Sequence, residues 1–281
     1  RKTGELVTFT IVPLEGYDHG ADITIQHGDT DFTYTETPYG FRMVIPYTPS
    51  EGENVNGIVV LYIHEDGTEE LVTESFYSED DGGLVFFTDH LSKFGVNYLP
   101  VTFSDVPADH WASPYVTYLA SRNIVSGDNF RPDDPITRGE TVTMLTNALS
   151  LVNLPDMNFS PYQDVSATSS LANVASWLYF NNLASDITSG DSLKPDQAIT
   201  REDMALVLGN CATGLGLRLR SRGLDTAYND SGNIASYAKS AVTTLRAAGV
   251  LEMATNYKFN PKTTLNRGEM AQIIANLLSN L

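Results

Sequence analysis

Short apolar and polar positions alternate through the first hundred residues. The runs ELVTFTIVP, ADITIQ, FTYTET, FRMVIPY, GIVVLYIH, EELVTESFY, GLVFFT and FGVNYL are rich in Val, Ile, Thr, Phe and Tyr, and Gly, Asp, Asn and Pro separate them. Period-two alternation in short runs predicts strands, because successive side chains point to opposite faces. His64-Glu65-Asp66-Gly67-Thr68, with Asp-Gly at its tip, predicts a hairpin turn. Seven or eight such strands, with turns roughly every 8–12 residues, predict an all-β, sandwich-like domain over residues 1–100. Pro100 ends its last strand. From Phe103 onward Ala, Leu, Asn and Ser dominate, and helical spacing replaces alternation.

The second part repeats. Phe103-Ser104-Asp105, Tyr162-Gln163-Asp164 and Tyr228-Asn229-Asp230 each precede a helical stretch, Trp111 to Arg122, Asn173 to Asn182 and Ser236 to Ala248. A loop ending in Pro132, Pro195 or Pro261 follows, and six residues after each Pro stands Arg138, Arg201 or Arg267. Self-similarity at a spacing of 63 and 66 residues predicts three helix–loop–helix units that bury their apolar faces against one another. The expected boundaries are 102–152, 160–213 and 225–281.

Each Arg opens a helix. Thr137-Arg138-Gly139-Glu140, Thr200-Arg201-Glu202-Asp203 and Asn266-Arg267-Gly268-Glu269 place a capping residue before the Arg and an acid three positions after the cap, the capping-box pattern or a close variant. A cation in the first turn opposes the helix macrodipole by roughly 0.3–1 kcal/mol, so its threefold recurrence requires compensation. Two readings are open. The Arg and free backbone N–H groups could hold an anion such as a carboxylate or phosphate, or each Arg pairs with an Asp of a neighbouring unit and locks the repeats together.

Charge narrows the partners. Seventeen basic and 35 acidic residues give a net charge of −18, which argues against nucleic acid and anionic membranes, since both attract a positive field. Residues 1–100 carry 4 basic and 18 acidic groups, net −14, against 13 and 17, net −4, in residues 101–281. The acidic excess therefore lies in the β part. No apolar run approaches the roughly 18–20 residues of a membrane span. Cys211 is the one cysteine, which excludes an intrachain disulfide and a cysteine-rich zinc site. The chain begins at Arg1 without an initiator Met or a signal peptide and reads as a piece of a longer protein.

These residues together resemble three tandem S-layer homology domains. The first unit carries the resemblance most closely, through FSDVPADHWASPYVTYLASRNIVSG and NFRPDDPITRGETVTMLTNAL. The resemblance implies an α+β multidomain chain, in which the β-sandwich-like spacer is followed by an all-α, pseudo-three-fold assembly of three repeats. It implies a secreted, non-catalytic cell-wall anchor without a cofactor. The implied partner is secondary cell-wall polysaccharide or a peptidoglycan-linked glycan, often pyruvylated and hence anionic, with neighbouring S-layer subunits as further partners. The binding residues it implies are Asp105, Trp111, Gly127 and Arg138 in the first unit. In the second they are Asp164, Gly190 and Arg201, with Ser170 at the Trp position and four extra residues before Ser189-Gly190. In the third they are Asp230, Tyr237 and Arg267, with no clear Ser-Gly. Trp177 reads as a core residue. Arg makes bidentate bonds to a carboxylate, Asp accepts from sugar hydroxyls, an aromatic ring stacks on a pyranose, and Gly lets backbone approach. Unequal grooves are expected, the best using unit-one residues.

Other features compete weakly. Arg218, Arg220 and Arg222 could touch an anionic polymer but read as a solvated or locally paired linker. Thr88-Asp89-His90-Leu91-Ser92-Lys93-Phe94 resembles the strand at which self-cleaving extracellular domains break before Ser or Thr, so cleavage at Leu91-Ser92 is an alternative to a purely structural hairpin. A parent protein with an upstream glycan-active enzyme is another. His19, His27 and His64 lack metal spacing, His110 belongs to the repeat, and Glu79-Asp80-Asp81 reads as a solvated turn without a calcium loop. Tyr34, Tyr39 and Phe41 could bind carbohydrate but suit cross-strand pairs.

Overall fold

The computed structural model describes residues 7–27, 30–31, 41–88, 90–149, 158–188, 190–217, 219, 221–222, 228–251 and 257–281. The chain divides into two compact units. The first comprises Arg1–Thr102 with Ala120–Asn123, and the second Phe103–Leu119 with Ile124–Leu281.

The first unit is built of strands β1 (Val7–Pro13), β2 (Gly20–His27), β3 (Thr30–Asp31), β4 (Phe41–Pro46), β5 (Ile58–Ile63), β6 (Glu69–Val72), β7 (Ser75–Ser78), β8 (Gly83–Thr88) and β9 (Lys93–Tyr98). They form two open antiparallel sheets, β1-β2-β9-β5-β6 with β3 on β2, and β4-β8-β7. Ile23, Ile58, Val60, Phe94 and Val96 of the larger sheet meet Ile45, Leu84 and Phe86 of the smaller in one buried cluster. The two open sheets thus share one buried core. On the opposite face of β5, Val59, Leu61 and Ile63 are covered by Leu14, Tyr17 and Leu71, so this strand is apolar throughout rather than alternating. The β5–β6 turn is the Asp-Gly hairpin. Asp66 accepts from the Thr68 amide (2.9 Å) and hydroxyl (2.7 Å), and Gly67 supplies a φ of 83°. Arg122, fully buried, donates to the carbonyls of Ser75 (2.8 Å), Ile58 (2.9 Å) and Asn56 (3.1 Å).

One predicted strand is two. EELVTESFY breaks between β6 and β7, which lie in different sheets. The Ser75 hydroxyl turns back onto the Val72 carbonyl (2.7 Å), an interaction that composition alone does not signal. FTYTET, with Tyr34 and Tyr39, lies outside the described residues.

The second unit contains helices α1 (Ser113–Ser121), α2 (Arg138–Ala148), α3 (Ala172–Phe180), α4 (Arg201–Gly214), α5 (Lys239–Ala247) and α6 (Arg267–Leu278). They make three helix–loop–helix segments, α1–α2, α3–α4 and α5–α6, with one backbone pattern. Asn123, Asn182 and Gly249 hold the left-handed conformation just past each first helix (φ 55°, 56° and 76°), and Arg131, Lys194 and Asn260 hold it before each loop Pro (φ 58°, 55° and 55°). Helix-ending Asn and Gly suit that region, whereas Arg and Lys enter it only under tertiary constraint.

The three segments join at their helix entries. Ile136 donates its amide to the Leu265 carbonyl (3.0 Å), Leu265 to Ile199 (3.2 Å), and Ile199 back to Ile136 (3.0 Å). Ile136 and Ile199 are fully buried and Leu265 nearly so. A closed cycle of three hydrogen bonds thus ties the segments at their apolar centre.

Candidate functional site

The opening Asp of each segment fastens the loop before the Pro. Asp105 accepts from the amides of Phe130 (2.9 Å) and Arg131 (2.6 Å), Asp164 from Leu193 (3.0 Å) and Lys194 (2.7 Å), and Asp230 from Phe259 and Asn260 (both 2.8 Å). Ser192 also donates to Asp164. Burial works to raise the carboxyls of Asp105 and Asp164, but the amide donors, joined at Asp164 by Ser192, outweigh it and hold both below the usual range. Each carboxylate thereby stabilises the left-handed residue beside it.

The arginines form a second cycle. Arg138 pairs with Asp203 (3.4 Å), Arg201 with Glu269 (3.0 Å), and Arg267 with Glu140 (2.7 Å). Each cation therefore meets the third helical residue of the next segment, and the last closes on the first. Arg138 also donates to the carbonyls of Ile187 (2.7 Å) and Leu193 (3.2 Å), Arg201 to Phe259 (2.7 Å), and Arg267 to Phe130 (2.6 Å). Arg201 and Arg267 lie 5.4 and 5.0 Å over the Phe259 and Phe130 rings. These contacts supply the compensation that a cation in a first turn requires.

The amides at the helix entries are engaged as well. Arg138 and Gly139 donate to Gln197 and Pro195, Arg201 and Glu202 to Thr263 and Pro261, and Arg267 and Gly268 to Asp134 and Pro132. The third amides go to the caps Thr137, Thr200 and Asn266. α2 and α6 have full capping boxes. In α4 the Thr200 side chain caps Asp203, whose side chain goes instead to Arg138. The bracing reading thus describes the arginine geometry, and the first-turn amides are committed to neighbouring loops rather than free for an anion.

The three arginines differ in access. Arg138 is 7% exposed, closed in by the carbonyl of Ile187 from the extra residues of the second segment. Arg201 lines a cleft of about 230 Å³ with Lys258, Asn260, Thr263, Glu269 and Gln272 among its walls. This cleft joins Arg201 of the second segment to residues of the third.

The aromatic positions differ too. Trp111 is 46% exposed, and its ring edge lies 3.0 Å from where a Cβ on Gly268 would stand. Tyr237 instead directs its hydroxyl between Asp203 (2.8 Å) and Glu202 (3.1 Å). Ser170 is exposed and Trp177 half-buried. Gly127 and Gly190 are exposed with φ of 119° and 59° and open space where a Cβ would be. Backbone conformation, not close approach, accounts for the glycines there.

Two features escaped the sequence reading. Asn147, Asn210 and Asn276 donate to the carbonyls of Ile124 (3.1 Å), Leu183 (3.0 Å) and Val250 (3.4 Å), and each stands nine residues after its Arg, a recurrence present in the sequence. Glu202 is 2% exposed where the other segments have Gly139 and Gly268. It accepts from the Ala235 amide (3.0 Å), Tyr237 and Lys262. Burial raises its carboxyl, but these donors together lower it below the ordinary value.

In the β unit, the His90 ring packs on Tyr62 and Phe94, and its carbonyl accepts from the Thr88 hydroxyl (2.7 Å). The Ser92 carbonyl accepts from Ile23 (2.9 Å). Asp81 pairs with Arg42 (2.7 Å). Among the described residues no group of three or more His, Cys, Asp or Glu is placed to hold a metal, and no described helix is long and apolar enough to cross a membrane. Asp89, Ser189, Arg218 and Arg220 lie outside the described residues, while Arg222 donates to Asn280 (2.7 Å).

A family model described as the S-layer homology domain matches residues 102–142 and 227–271. The chain carries S-layer homology domains. It is 28% identical over 180 residues to the S-layer protein sap of Bacillus anthracis, covering 62% of this chain and 21% of that protein. It is also 28% identical over 201 residues to an amylopullulanase of Thermoanaerobacterium thermosulfurigenes, covering 70% of this chain and 10% of the enzyme. A third relative, the exoglucanase XynX of Acetivibrio thermocellus, is 29% identical over 188 residues, 66% of this chain and 17% of the enzyme. The chain thus spans about a tenth to a fifth of the relatives it matches. S-layer homology domains are non-catalytic wall-anchoring modules, so the chain is associated with the bacterial cell surface.

Proposed function

We propose that this chain anchors a surface protein by binding an anionic, pyruvylated secondary cell-wall polysaccharide, or a peptidoglycan-linked glycan, in clefts between three S-layer homology repeats. The repeats are residues 102–152, 160–213 and 225–281, arranged around a pseudo-three-fold axis. The recurring left-handed positions and the two closed contact cycles support the inclusion of the middle repeat. The observation that carries the binding reading is the Arg201 cleft, where a guanidinium and the Lys258 ammonium share one open recess.

In this reading Lys258 attracts the ligand carboxylate beside Arg201, whose guanidinium also holds Glu269 and the Phe259 carbonyl. Asn260, Thr263 and Gln272 are suited to sugar hydroxyls. Trp111 offers an exposed ring for stacking beside Gly268 and Arg267. Asp105, Asp164 and Asp230, with Gly127 and Gly190, shape the loops that frame the clefts, while Arg138 and Tyr237 brace the repeats. Neighbouring S-layer subunits are further partners, and the β unit is a spacer.

The test is co-sedimentation of the chain with purified cell-wall sacculi, using sacculi stripped of polymer by hydrofluoric acid as the blank. Arg201→Ala combined with Lys258→Ala should weaken binding by more than tenfold, about 1.4 kcal/mol or more. Undiminished sedimentation of that folded variant would refute the cleft. The glycosidases among the relatives support a second reading of the parent protein, in which the anchored cargo is a glycan-active enzyme. Polysaccharide hydrolysis by the whole protein separates it from a lattice subunit.

A further inference from the structure

The Arg201 cleft is lined by Lys258, Asn260 and Thr263 of the 258–263 loop, by Glu269 and Gln272 of α6, and by Arg201 at the entry of α4. At the second position of that helix the other two segments have glycine. Gly139 lies against Pro195 and Leu171, and Gly268 lies under Trp111 and Ala112. At α4 the same position is Glu202, a carboxylate 2% exposed.

We propose that Glu202 is a positioning residue for the Arg201 cleft, latching the 258–263 loop and the start of the third repeat onto α4. This inference rests on the binding reading above. The carboxylate holds Lys262, which stands in that loop between the wall residues Asn260 and Thr263. Its other oxygen accepts from the Ala235 amide. Tyr237 lies between Glu202 and Asp203, and Asp203 in turn meets Arg138 of the first segment. Two adjacent carboxylates are thus faced by one cation each, with a phenol between them. The backbone contacts of Arg201 and Glu202 with Thr263 and Pro261 resemble those at the other two helix entries; the Glu202 side-chain contacts are particular to this one. Glu202 does not itself line the Arg201 cleft. Its effect on a ligand passes through the loop that carries Lys258.

Acid should release the latch. Protonating Glu202 removes the charge that holds Lys262 and leaves Tyr237 shared with Asp203 alone, so the cleft wall loosens as pH falls below the ordinary carboxylate range. Glu202→Gln mimics that state at neutral pH while preserving side-chain shape.

The experiment uses the full chain on purified sacculi, from neutral pH down to about pH 3, past the ordinary carboxylate range, with amide hydrogen exchange followed in parallel without sacculi. Glu202→Gln should bind about tenfold more weakly at neutral pH, show a shallower loss on acidification than the unaltered chain, and exchange the Ala235 amide several-fold faster, at roughly tenfold for a local opening that easier. Arg201→Ala should lower binding without altering Ala235 exchange, so failure of the cleft and failure of the latch are read separately. A Glu202→Gln chain with unaltered binding, pH profile and Ala235 protection overturns the proposal. Should that variant not fold, Lys262→Met, at a largely exposed side chain, takes its place. It should weaken binding in the same direction, and undiminished binding overturns the latch.

Discussion

Replacing Arg138 by Ala should unfold the helical unit far more readily than it disturbs any ligand. The guanidinium is 7% exposed and donates to Ile187 (2.7 Å) and Leu193 (3.2 Å), with Asp203 3.4 Å away. Truncation orphans two carbonyls and leaves Asp203, itself 8% exposed, with the Tyr237 hydroxyl as its remaining side-chain donor shown here. Breaking a buried ion pair from one side costs about 3–5 kcal/mol. Set against roughly 5–15 kcal/mol for a whole domain, that is a large share. Urea unfolding of the full chain, followed by circular dichroism at the helical band, should show the helical transition moved to much lower denaturant. Arg201, whose side chain opens on a cleft, should give a smaller shift under the same substitution. A midpoint for Arg138→Ala within about 0.5 kcal/mol of the unaltered chain would refute the reasoning, because it would mean that the buried pair and both carbonyl bonds contribute nothing to the assembly.

Gly268→Val should destabilise the same unit by about 1–3 kcal/mol through overpacking, since its Cβ would stand 3.0 Å from both Trp111 and Ala112; thermal unfolding measures this. Asp105, Asp164 and Glu202 all have carboxyls held below their ordinary values. Their contribution is complete above the unfolded carboxyl range, about pH 4–4.5, and is lost as pH falls through the lower folded values, so pH titration of helicity should be flat from 5 to 8 and fall below about 4. Cys211 is fully buried, and desolvation pushes its thiol up to about 12, so iodoacetamide at mild alkaline pH should label it only after denaturation. Denaturing electrophoresis should give one band near 30.7 kDa, which would exclude the self-cleavage alternative; fragments breaking at Leu91-Ser92 would establish it.

The β strands were legible from period-two alternation, the helix entries from Thr137, Thr200 and Asn266, and the repeat from the fixed Pro-to-Arg spacing. The division of EELVTESFY between two sheets was not, because Ser75 turns the chain through a bond to a backbone carbonyl that any residue would present. Nor was the work of the opening aspartates. An Asp before a helical stretch suits a sugar hydroxyl as well as a loop amide, and only the distance to residues about 25–30 positions on distinguishes them.

Local chemistry by itself determined where helices begin, which positions are apolar, and that one pattern recurs, because caps, periodicity and proline act within a few residues. Tertiary structure decided what each recurrent Arg is for. Its partner acid lies 65, 68 or 127 residues away, and identical Arg residues become sealed at Arg138 or open at Arg201 according to the loops that fold across them. It likewise put Arg131 and Lys194 into a backbone conformation their side chains disfavour, since two amide bonds to a distant Asp outweigh a local steric preference.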